Sequence, residues 1–166
     1  MFVLARALTY AATFIGFFLV YLPAQVLERA GIRVPGTYGT PQLVGGILAA
    51  LGLVLAIGCV LTFAFLGRGT PAPFDPPRQL VTRGPYAWTR NPMYLGAWLV
   101  LAGAALYFQS LQLALFDLGF IVATVAFVHG YEEPALRRLF ALEYQAYCAR
   151  VSRWWPHRPG RAVPPN

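Results

Sequence analysis

The stretch from residue 83 to residue 96, RGPYAWTRNPMYLG, combines cationic, hydrogen-bonding and aromatic side chains. A residue that precedes a proline is disfavoured in the helical region, so Asn91 is predicted to lie just outside a helix that begins at Pro92 and to cap it. The free N–H groups of that helix start, together with Arg90, are suited to binding an anion. The same pattern is also typical of a plain helix cap flanked by aromatic anchors at a membrane interface.

A second group of polar residues, HGYEEP, occupies positions 129–134. In a continuous helix His129, Glu132 and Glu133 share one face. Two adjacent carboxylates at the end of a membrane helix are costly to place there, which makes them candidates for function. The alternative is that both are interfacial charges paired with nearby arginines. His129 is either a hydrogen-bonded structural residue or a base, and because no second histidine or cysteine stands at metal-ligand spacing, no metal site is predicted.

Long uncharged segments determine the class of protein. The chain of 166 residues is 58% hydrophobic and only 11% charged, whereas soluble domains carry roughly 25% charged residues. No charge occurs in segments 7–27, 34–67 and 91–116, and each of them supplies the ~20 residues that cross a bilayer. The sequence therefore predicts an all-α integral membrane protein, a bundle of four transmembrane helices with five as the alternative count.

The predicted spans lie at about 7–27, 43–66, 92–107 and 111–131, and the polar break FQSLQ joins the last two in a tight hairpin. We expect a single membrane domain with five consecutive parts. These are two N-terminal spans (1–66), a cytoplasmic loop that carries the first motif (67–91), the helical hairpin (92–131), a cytoplasmic helix (132–156) and a loose tail (157–166).

The cytoplasmic helix is predicted to be amphipathic, because apolar residues recur at three- and four-residue spacing from Pro134 to about Arg150. Pro134 fits the first turn of a helix but interrupts the preceding one, so a kink or a new start is expected beside Glu132 and Glu133. The apolar stripe consists of Leu136, Leu139, Phe140, Tyr144, Tyr147 and Val151.

All thirteen basic residues are arginine, and the net charge is +7. With four spans, eleven arginines lie on the side of the two termini, and only Arg29 and Arg33 lie on the other side. Basic residues concentrate on the cytoplasmic side of membranes, so both termini are predicted to be cytoplasmic, in a bacterial host at the inner membrane. Arginine suits anionic headgroups or an acidic substrate. Nucleic acid is not an expected partner, because the charge lies beside membrane spans.

Three ordered motifs resemble a known family. GPYAWTRNPMYLG (84–96), EEPALRRLF (132–140) and EYQAYCARVSRWWP (143–156) look like the isoprenylcysteine carboxyl methyltransferases and, more distantly, the phospholipid N-methyltransferases. The resemblance covers roughly 70–156. Three positions depart from the family's patterns: Asn91 replaces the histidine of the eukaryotic RHP, Ala141 the glycine of FG-x-EY, and Ser152 the proline of RVP.

This resemblance implies that S-adenosylmethionine binds at the cytoplasmic membrane face and is enclosed by the helix at 132–156. The glutamates suit its amine or ribose hydroxyls, and Arg90 with the helix start suits its carboxylate. Tyr86, Trp88 or Tyr94 can face the sulfonium. The implied cofactor-binding residues are Gly84, Pro85, Tyr86, Arg90, Asn91, Pro92, Tyr94, Gly96, Glu132 and Glu133. The implied catalytic residues are Arg150, Glu133 and His129, and the implied substrate-binding residues are Tyr144, Tyr147, Arg150 and Arg153.

Methyl transfer from a sulfonium is an in-line displacement that depends mainly on positioning and on a water-poor pocket. A carboxylate acceptor needs no general base, whereas an amine or thiol must lose a proton, for which His129 or a glutamate is the candidate. The predicted acceptor is lipophilic: an isoprenoid carboxylate, a lipid or a related small molecule. The acceptor atom and the oligomeric state are left open by the sequence.

Two other functions compete with methyl transfer. Intramembrane sterol reductases resemble the same C-terminal region and bind a nicotinamide cofactor, but they lack the Glu-Glu-Pro sequence found here at 132–134. A non-catalytic membrane scaffold or transporter subunit is the other alternative. Transporters place polar residues near the bilayer midplane and often show repeats, whereas the polar residues here cluster at one face.

Reporter fusions at the two ends of the chain test the predicted orientation. A reporter that is active only in the cytoplasm is expected to work at both termini, because of the arginine distribution. An extracellular C-terminus would contradict the prediction. It would also remove the cofactor hypothesis, since S-adenosylmethionine is cytosolic.

Overall fold

The computed structural model describes residue 9, residues 12–63, residue 65 and residues 79–155. The predicted 157–166 tail, Arg6 and most of the 67–80 loop lie outside the described residues. The helices are α1 (Leu22–Arg29), which continues a π-helical segment (Ile15–Tyr21), α2 (Thr40–Thr62), α3 (Pro92–Tyr107), α4 (Leu111–Phe127) and α5 (Glu133–Arg150). A 3-10 turn (Gly84–Ala87) precedes α3, and a π-helical turn (Val128–Glu132) joins α4 to α5. Within these ranges there is no strand, which confirms the all-α prediction.

Among the described residues, two helices are long and apolar enough to cross a bilayer: α2 and the continuous helix from Leu111 to Arg150. In the second, the apolar part ends at Val128, and we place Glu132, Glu133 and α5 beyond the membrane-spanning segment. The helix α3 is also apolar but shorter. These features support a membrane-associated helical bundle, while the full set of four spans stays a prediction.

Helices α2 and α3 approach each other closely where their glycines face each other. A Cβ atom on Gly52 would lie 2.5 Å from the carbonyl oxygen of Gly96, and one on Gly103 would lie 2.5 Å from the amide nitrogen of Ala49. Only glycine leaves room for two backbones at this separation, the arrangement that small residues permit between membrane helices. This crossing fixes where the N-terminal end of α3 lies.

Helix α4 returns antiparallel to α3 after a short turn at 108–110. Gln109 takes a positive φ of 48° there, and the Ser110 hydroxyl accepts a hydrogen bond from the Leu113 amide at 3.1 Å, which caps α4. Between the two helices the Trp98 indole donates to the Thr124 hydroxyl at 3.0 Å. Phe120 of α4 also packs in a cluster with Ala97 and Leu101 of α3, against which Phe14 and Phe18 lie.

The passage from α4 to α5 contains the break expected beside the two glutamates. The backbone takes one π-helical turn over Val128–Glu132, and Pro134 occupies the first turn of α5. Proline supplies no N–H for the preceding ladder, which accounts for the wider turn. The chain nevertheless continues without a loop, so α5 begins directly where the apolar segment has ended.

The prediction of one regular amphipathic helix from Pro134 to Arg150 was wrong at Ala141. This residue has φ 38° and ψ −113°, and the chain bends there. Because of the bend the predicted apolar stripe does not share one surface. Tyr144, Tyr147 and Val151 are buried, whereas Leu139 is 54% exposed. Local periodicity describes a straight helix and therefore missed the change in direction.

Gly52→Ala tests the close crossing of α2 and α3. The added methyl group meets backbone atoms that cannot move aside, so we expect a loss of about 1–3 kcal/mol in unfolding free energy, read as a lower melting temperature in detergent. Gly46→Ala is the matched control, because nothing lies within 4 Å of its Cβ position on the same helix. Equal melting temperatures for the two variants would contradict the proposed contact.

Ala141→Gly tests the strained bend in α5. Positive φ costs an L-residue with a side chain roughly 1–2 kcal/mol, so glycine at this position should raise the melting temperature. The control is Ala146→Gly, at an exposed position in the same helix, where glycine costs about 1 kcal/mol relative to alanine. If Ala141→Gly destabilises the protein as much as Ala146→Gly does, the bend is absent.

Candidate functional site

Three segments meet at the end of the bundle where α4 passes into α5. They are the residues before α3 (Thr89–Asn91), the start of α5, and the segment that follows α5 (151–155). Backbone and side-chain hydrogen bonds join the first segment to the last. The Arg90 amide donates to the Ser152 carbonyl at 2.9 Å, and the Thr89 hydroxyl donates to the Arg153 carbonyl at 2.9 Å.

Asn91 contributes to the same connection, in a way that corrects the predicted cap. It does stand before Pro92 at the start of α3, but its side chain makes no capping hydrogen bond. The amide Nδ2 instead donates to the Arg153 carbonyl oxygen at 3.1 Å. The Asn91 side chain therefore accepts no hydrogen bond from the backbone N–H groups at the start of α3. It is hydrogen-bonded to the C-terminal segment instead.

Glu133 is at the centre of the site. The residue is only 5% exposed. Arg153 holds its carboxylate with two parallel bonds, Nε to Oε1 at 2.7 Å and Nη2 to Oε2 at 2.8 Å, and Arg90 Nη1 lies 3.0 Å from Oε1. A buried carboxylate with two guanidinium partners, one of them bidentate, is a strong charge-assisted arrangement.

The charge state of Glu133 follows from its partners. Burial raises the pKa of this carboxyl, but the Arg153 hydrogen bonds and the positive charges of Arg90 and Arg153 outweigh burial, so its pKa is lowered from the ordinary value. Glu133 is therefore an anion between two cations. Considered alone, the three groups leave one positive charge in excess.

Arg90 retains unused hydrogen-bonding capacity. Its Nη1 also donates to the Cys148 sulfur at 2.7 Å, but its Nε is buried and, in the part of the chain that the structure describes, has no hydrogen-bond partner. A buried, unsatisfied guanidinium N–H is costly unless an acceptor reaches it. Arg90 is thus suited to an additional anionic or polar ligand.

His129 contacts the same cluster from the π-helical turn. Its Nδ1 lies 2.8 Å from the Val125 carbonyl oxygen. A carbonyl only accepts, so the hydrogen-bond network assigns the proton to Nδ1 and leaves Nε2 as the acceptor that faces Arg153 Nη1. Both ring nitrogens of His129 are therefore already engaged. Acting as a base requires Arg153 Nη1 to leave His129 Nε2.

Glu132 forms a separate pair with α3. The Tyr94 hydroxyl donates to its Oε2 at 2.9 Å. Burial raises the pKa of Glu132, the Tyr94 hydrogen bond opposes that rise, and the negative charge of Glu133 adds to it, with a raised pKa as the net result. The adjacent glutamates are thus different: Glu133 is a paired anion, and Glu132 is the one that holds a proton more readily.

Several predicted site residues lie in the packed interior. Tyr144 and Tyr147 are buried together with Val151, and the Tyr147 hydroxyl donates to the Tyr86 carbonyl at 2.7 Å. Tyr86 packs with Cys59 and Val81. These three tyrosines connect α5 to the turn before α3, so their placement is explained by packing.

The remaining predicted residues are distributed around the site. Gly84 has φ +61°, a conformation that favours glycine, and Thr62 Oγ1 lies 3.0 Å from its Cβ position. Pro85 lies in the 3-10 turn.

Gly96 packs against Gly52 and Ala56, which accounts for this glycine without a ligand. Arg150 is exposed and donates to the Ala146 carbonyl of its own helix at 3.3 Å.

Sequence reasoning missed Thr89, Cys148 and the Trp98–Trp154 pair. The Trp98 and Trp154 rings lie 4.8 Å apart between centroids and join α3 to the C-terminal segment. Thr89 stood inside the quoted motif, but nothing local marked its hydroxyl as a contact. Among the described residues no group of three or more metal-ligating side chains exists.

Comparison with known proteins identifies a family for this chain. Residues 42–143, more than half of the chain, match the phospholipid methyltransferase family. No curated protein and no solved structure matches. The matched segment contains α3, α4, both glutamates and Arg90, and it ends before Arg153. It also agrees with the resemblance drawn from the 84–96 and 132–140 motifs. The chain therefore belongs to the phospholipid methyltransferase family, whose members are membrane enzymes that methylate lipid-type acceptors.

Proposed function

We propose that the protein transfers a methyl group from S-adenosylmethionine to a lipophilic acceptor at the cytoplasmic face of the membrane. Family membership supports a membrane methyltransferase with a lipid-type acceptor. The observation that carries the more specific proposal is the Arg90–Glu133–Arg153 cluster. It places charges of both signs directly beyond the apolar segment of α4, with Glu133 and Arg90 largely buried and Arg153 partly exposed.

The amino-acid end of S-adenosylmethionine carries an ammonium and a carboxylate, and the cluster offers a partner for each. Glu133, assisted by Glu132, takes the ammonium. Arg90, whose Nε lacks a partner among the described residues, takes the carboxylate together with the N–H groups at the start of α3. A zwitterion that inserts between Arg90 and Glu133 replaces an internal ion pair with two new ones.

Replacing the Arg90–Glu133 pair by contacts to a zwitterion avoids leaving a charge unpaired. Breaking a buried ion pair by removing one partner costs roughly 3–5 kcal/mol, because a charge is left uncompensated. A zwitterionic ligand leaves every charge paired, whereas a ligand of a single sign does not. The excess positive charge of the three groups further favours the carboxylate end. Arg153 keeps its hold on Glu133 throughout, so the carboxylate stays oriented.

The cofactor supplies an activated methyl group when bound, and the chain's own residues position it and exclude water. The Tyr94 ring lies beside Glu132, where an aromatic face can attract a sulfonium. For an amine or thiol acceptor, Glu132 or His129 receives the proton, and for a carboxylate acceptor neither is required. His129 serves in this way only after Arg153 leaves its Nε2.

Two arginines, one on α5 and one after it, are candidates for binding the acceptor. Arg153 lies inside the cluster, while Arg150 is exposed on α5. Arg153 is therefore the arginine that we assign to an acidic group of the acceptor. Tyr144 and Tyr147 contribute by holding α5 in place rather than by contact. Family membership favours this function over nicotinamide-dependent reduction or a scaffold role.

Calorimetric titration with S-adenosylhomocysteine tests the cofactor site without knowledge of the acceptor. Glu133→Gln, Glu132→Gln and Arg90→Gln should each weaken binding, since a lost charge-assisted hydrogen bond of about 1.5–3 kcal/mol corresponds to roughly ten- to a hundredfold. Glu143→Gln is the matched control, an exposed glutamate on the same helix α5, and Arg83→Gln is the control for arginine.

Thermal unfolding of each variant separates loss of binding from loss of fold, because Glu133→Gln leaves the Arg90 and Arg153 guanidinium groups with a neutral partner. Glu132→Gln retains an acceptor for Tyr94 and should unfold near the wild-type temperature. Unchanged affinity in a folded Glu132→Gln and Arg90→Gln protein would refute the cofactor assignment. Equal weakening by Glu143→Gln would show that the effect is nonspecific.

A further inference from the structure

The side of α5 that points away from the bundle has a composition that the proposed site does not explain. Tyr144 and Tyr147 form the buried side. After the bend at Ala141, Leu142, Ala146 and Ala149 recur at four- and three-residue spacing, so they share one face, and all three are exposed. Leu142 is 78% exposed, which is unusual for a leucine on a helix with a buried side.

Arginines lie near both ends of this apolar surface. We define the outward face of α5 as six exposed residues: Arg138 and Leu139 before the bend at Ala141, and Leu142, Ala146, Ala149 and Arg150 after it. An apolar strip with arginines at its ends is the pattern of helices that lie in a membrane interface, where leucines enter the acyl boundary and cations stay at the headgroups. Neither arginine takes part in the Glu133 cluster.

We propose that the outward face of α5 binds the anionic phospholipid headgroups of the membrane leaflet from which α4 emerges. Chain continuity supports this occupant. The apolar α4 passes into α5 through a π-helical turn of 5 residues and no loop, so α5 starts at the membrane surface and cannot move far from it. Trp155, 83% exposed, follows the end of α5 and is of the type that anchors at interfaces.

Charge complementarity specifies the lipid. The chain carries a net charge of +7 with arginine as its only basic residue type. A guanidinium fork matches the oxygens of a phosphate in a bidentate manner, and basic residues near an anionic leaflet each strengthen attachment. A zwitterionic bilayer presents phosphate groups but has no negative surface potential. Binding of the outward face of α5 should therefore increase with the fraction of anionic lipid. The proposal does not depend on methyl transfer.

A fluorescent probe at residue 142 tests the proposal. Leu142→Cys in a Cys148→Ser background is labelled with an environment-sensitive dye, since Cys59, the other cysteine, is fully buried. The full chain is reconstituted in nanodiscs that hold a single copy, in phosphatidylcholine with 0 to about 30% phosphatidylglycerol. We expect quenching by nitroxide lipids to increase with the phosphatidylglycerol fraction, and quenching by acrylamide to decrease.

The arginine contribution is measured with Arg138→Gln. The phosphatidylglycerol fraction that gives half of the maximal change in quenching should rise about fivefold when one basic residue near the surface is lost. Arg33→Gln removes the same charge from an exposed position outside α5 and should change nothing. Hydrogen exchange of the α5 amides in the unlabelled wild-type protein avoids the cysteine substitutions. It is measured with and without phosphatidylglycerol, and exchange should be slower with the anionic lipid.

Three results would overturn the proposal. Quenching by acrylamide that is independent of lipid composition would show that the face is in water. Lipid quenching that appears only in discs with two copies would show that a second chain covers it. Identical behaviour of Arg138→Gln and Arg33→Gln would exclude a specific role for arginine. S-adenosylhomocysteine affinity is not expected to change in Arg138→Gln, so failure here is distinguishable from failure of the cofactor site.

Discussion

A carboxylate that is removed from water needs compensation, and in this protein the compensation comes from two distant parts of the chain. Glu133 begins α5, Arg90 precedes α3, and Arg153 follows α5. Desolvating an ion costs several kcal/mol, and the cost is recovered only with close, well-oriented partners. The three segments are thereby constrained to meet, and the hydrogen bonds of Thr89 and Asn91 to the Arg153 carbonyl fix the same geometry.

The glycine contact between α2 and α3 positions the segment before α3, which carries Arg90, so that it can reach Glu133. With Gly52 and Gly96 in backbone contact, α3 has essentially one position relative to α2. Arg90 is then presented at a defined place, only two residues before the helix. At the other end, the π-helical turn rotates the two glutamates into different surroundings, Glu132 toward Tyr94 and Glu133 toward the arginines. Adjacent residues of identical chemistry thus acquire different protonation behaviour.

Helix α5 has a different environment on each of its two sides. Its inner side holds Tyr147 against the Tyr86 carbonyl, while its outer side carries the arginines and leucines that we assign to the leaflet. The bend at Ala141 allows both, because a straight helix would turn Leu139 toward the buried side. A glycine would reach the same conformation with less strain, and the FG-x-EY pattern of the resembling family has glycine at this position.

The sequence by itself determined the elements whose causes are local. Uncharged segments gave the helical membrane class, the proline at 92 marked the start of α3, and the proline at 134 marked the break before α5. It also singled out Arg90, Glu132 and Glu133. Only the tertiary structure decided the partners: Glu133 binds Arg153 and Arg90, and Asn91 donates to a distant carbonyl instead of capping its helix. Periodicity and proline act on neighbouring residues, whereas the partner of a buried charge depends on which segments packing brings together.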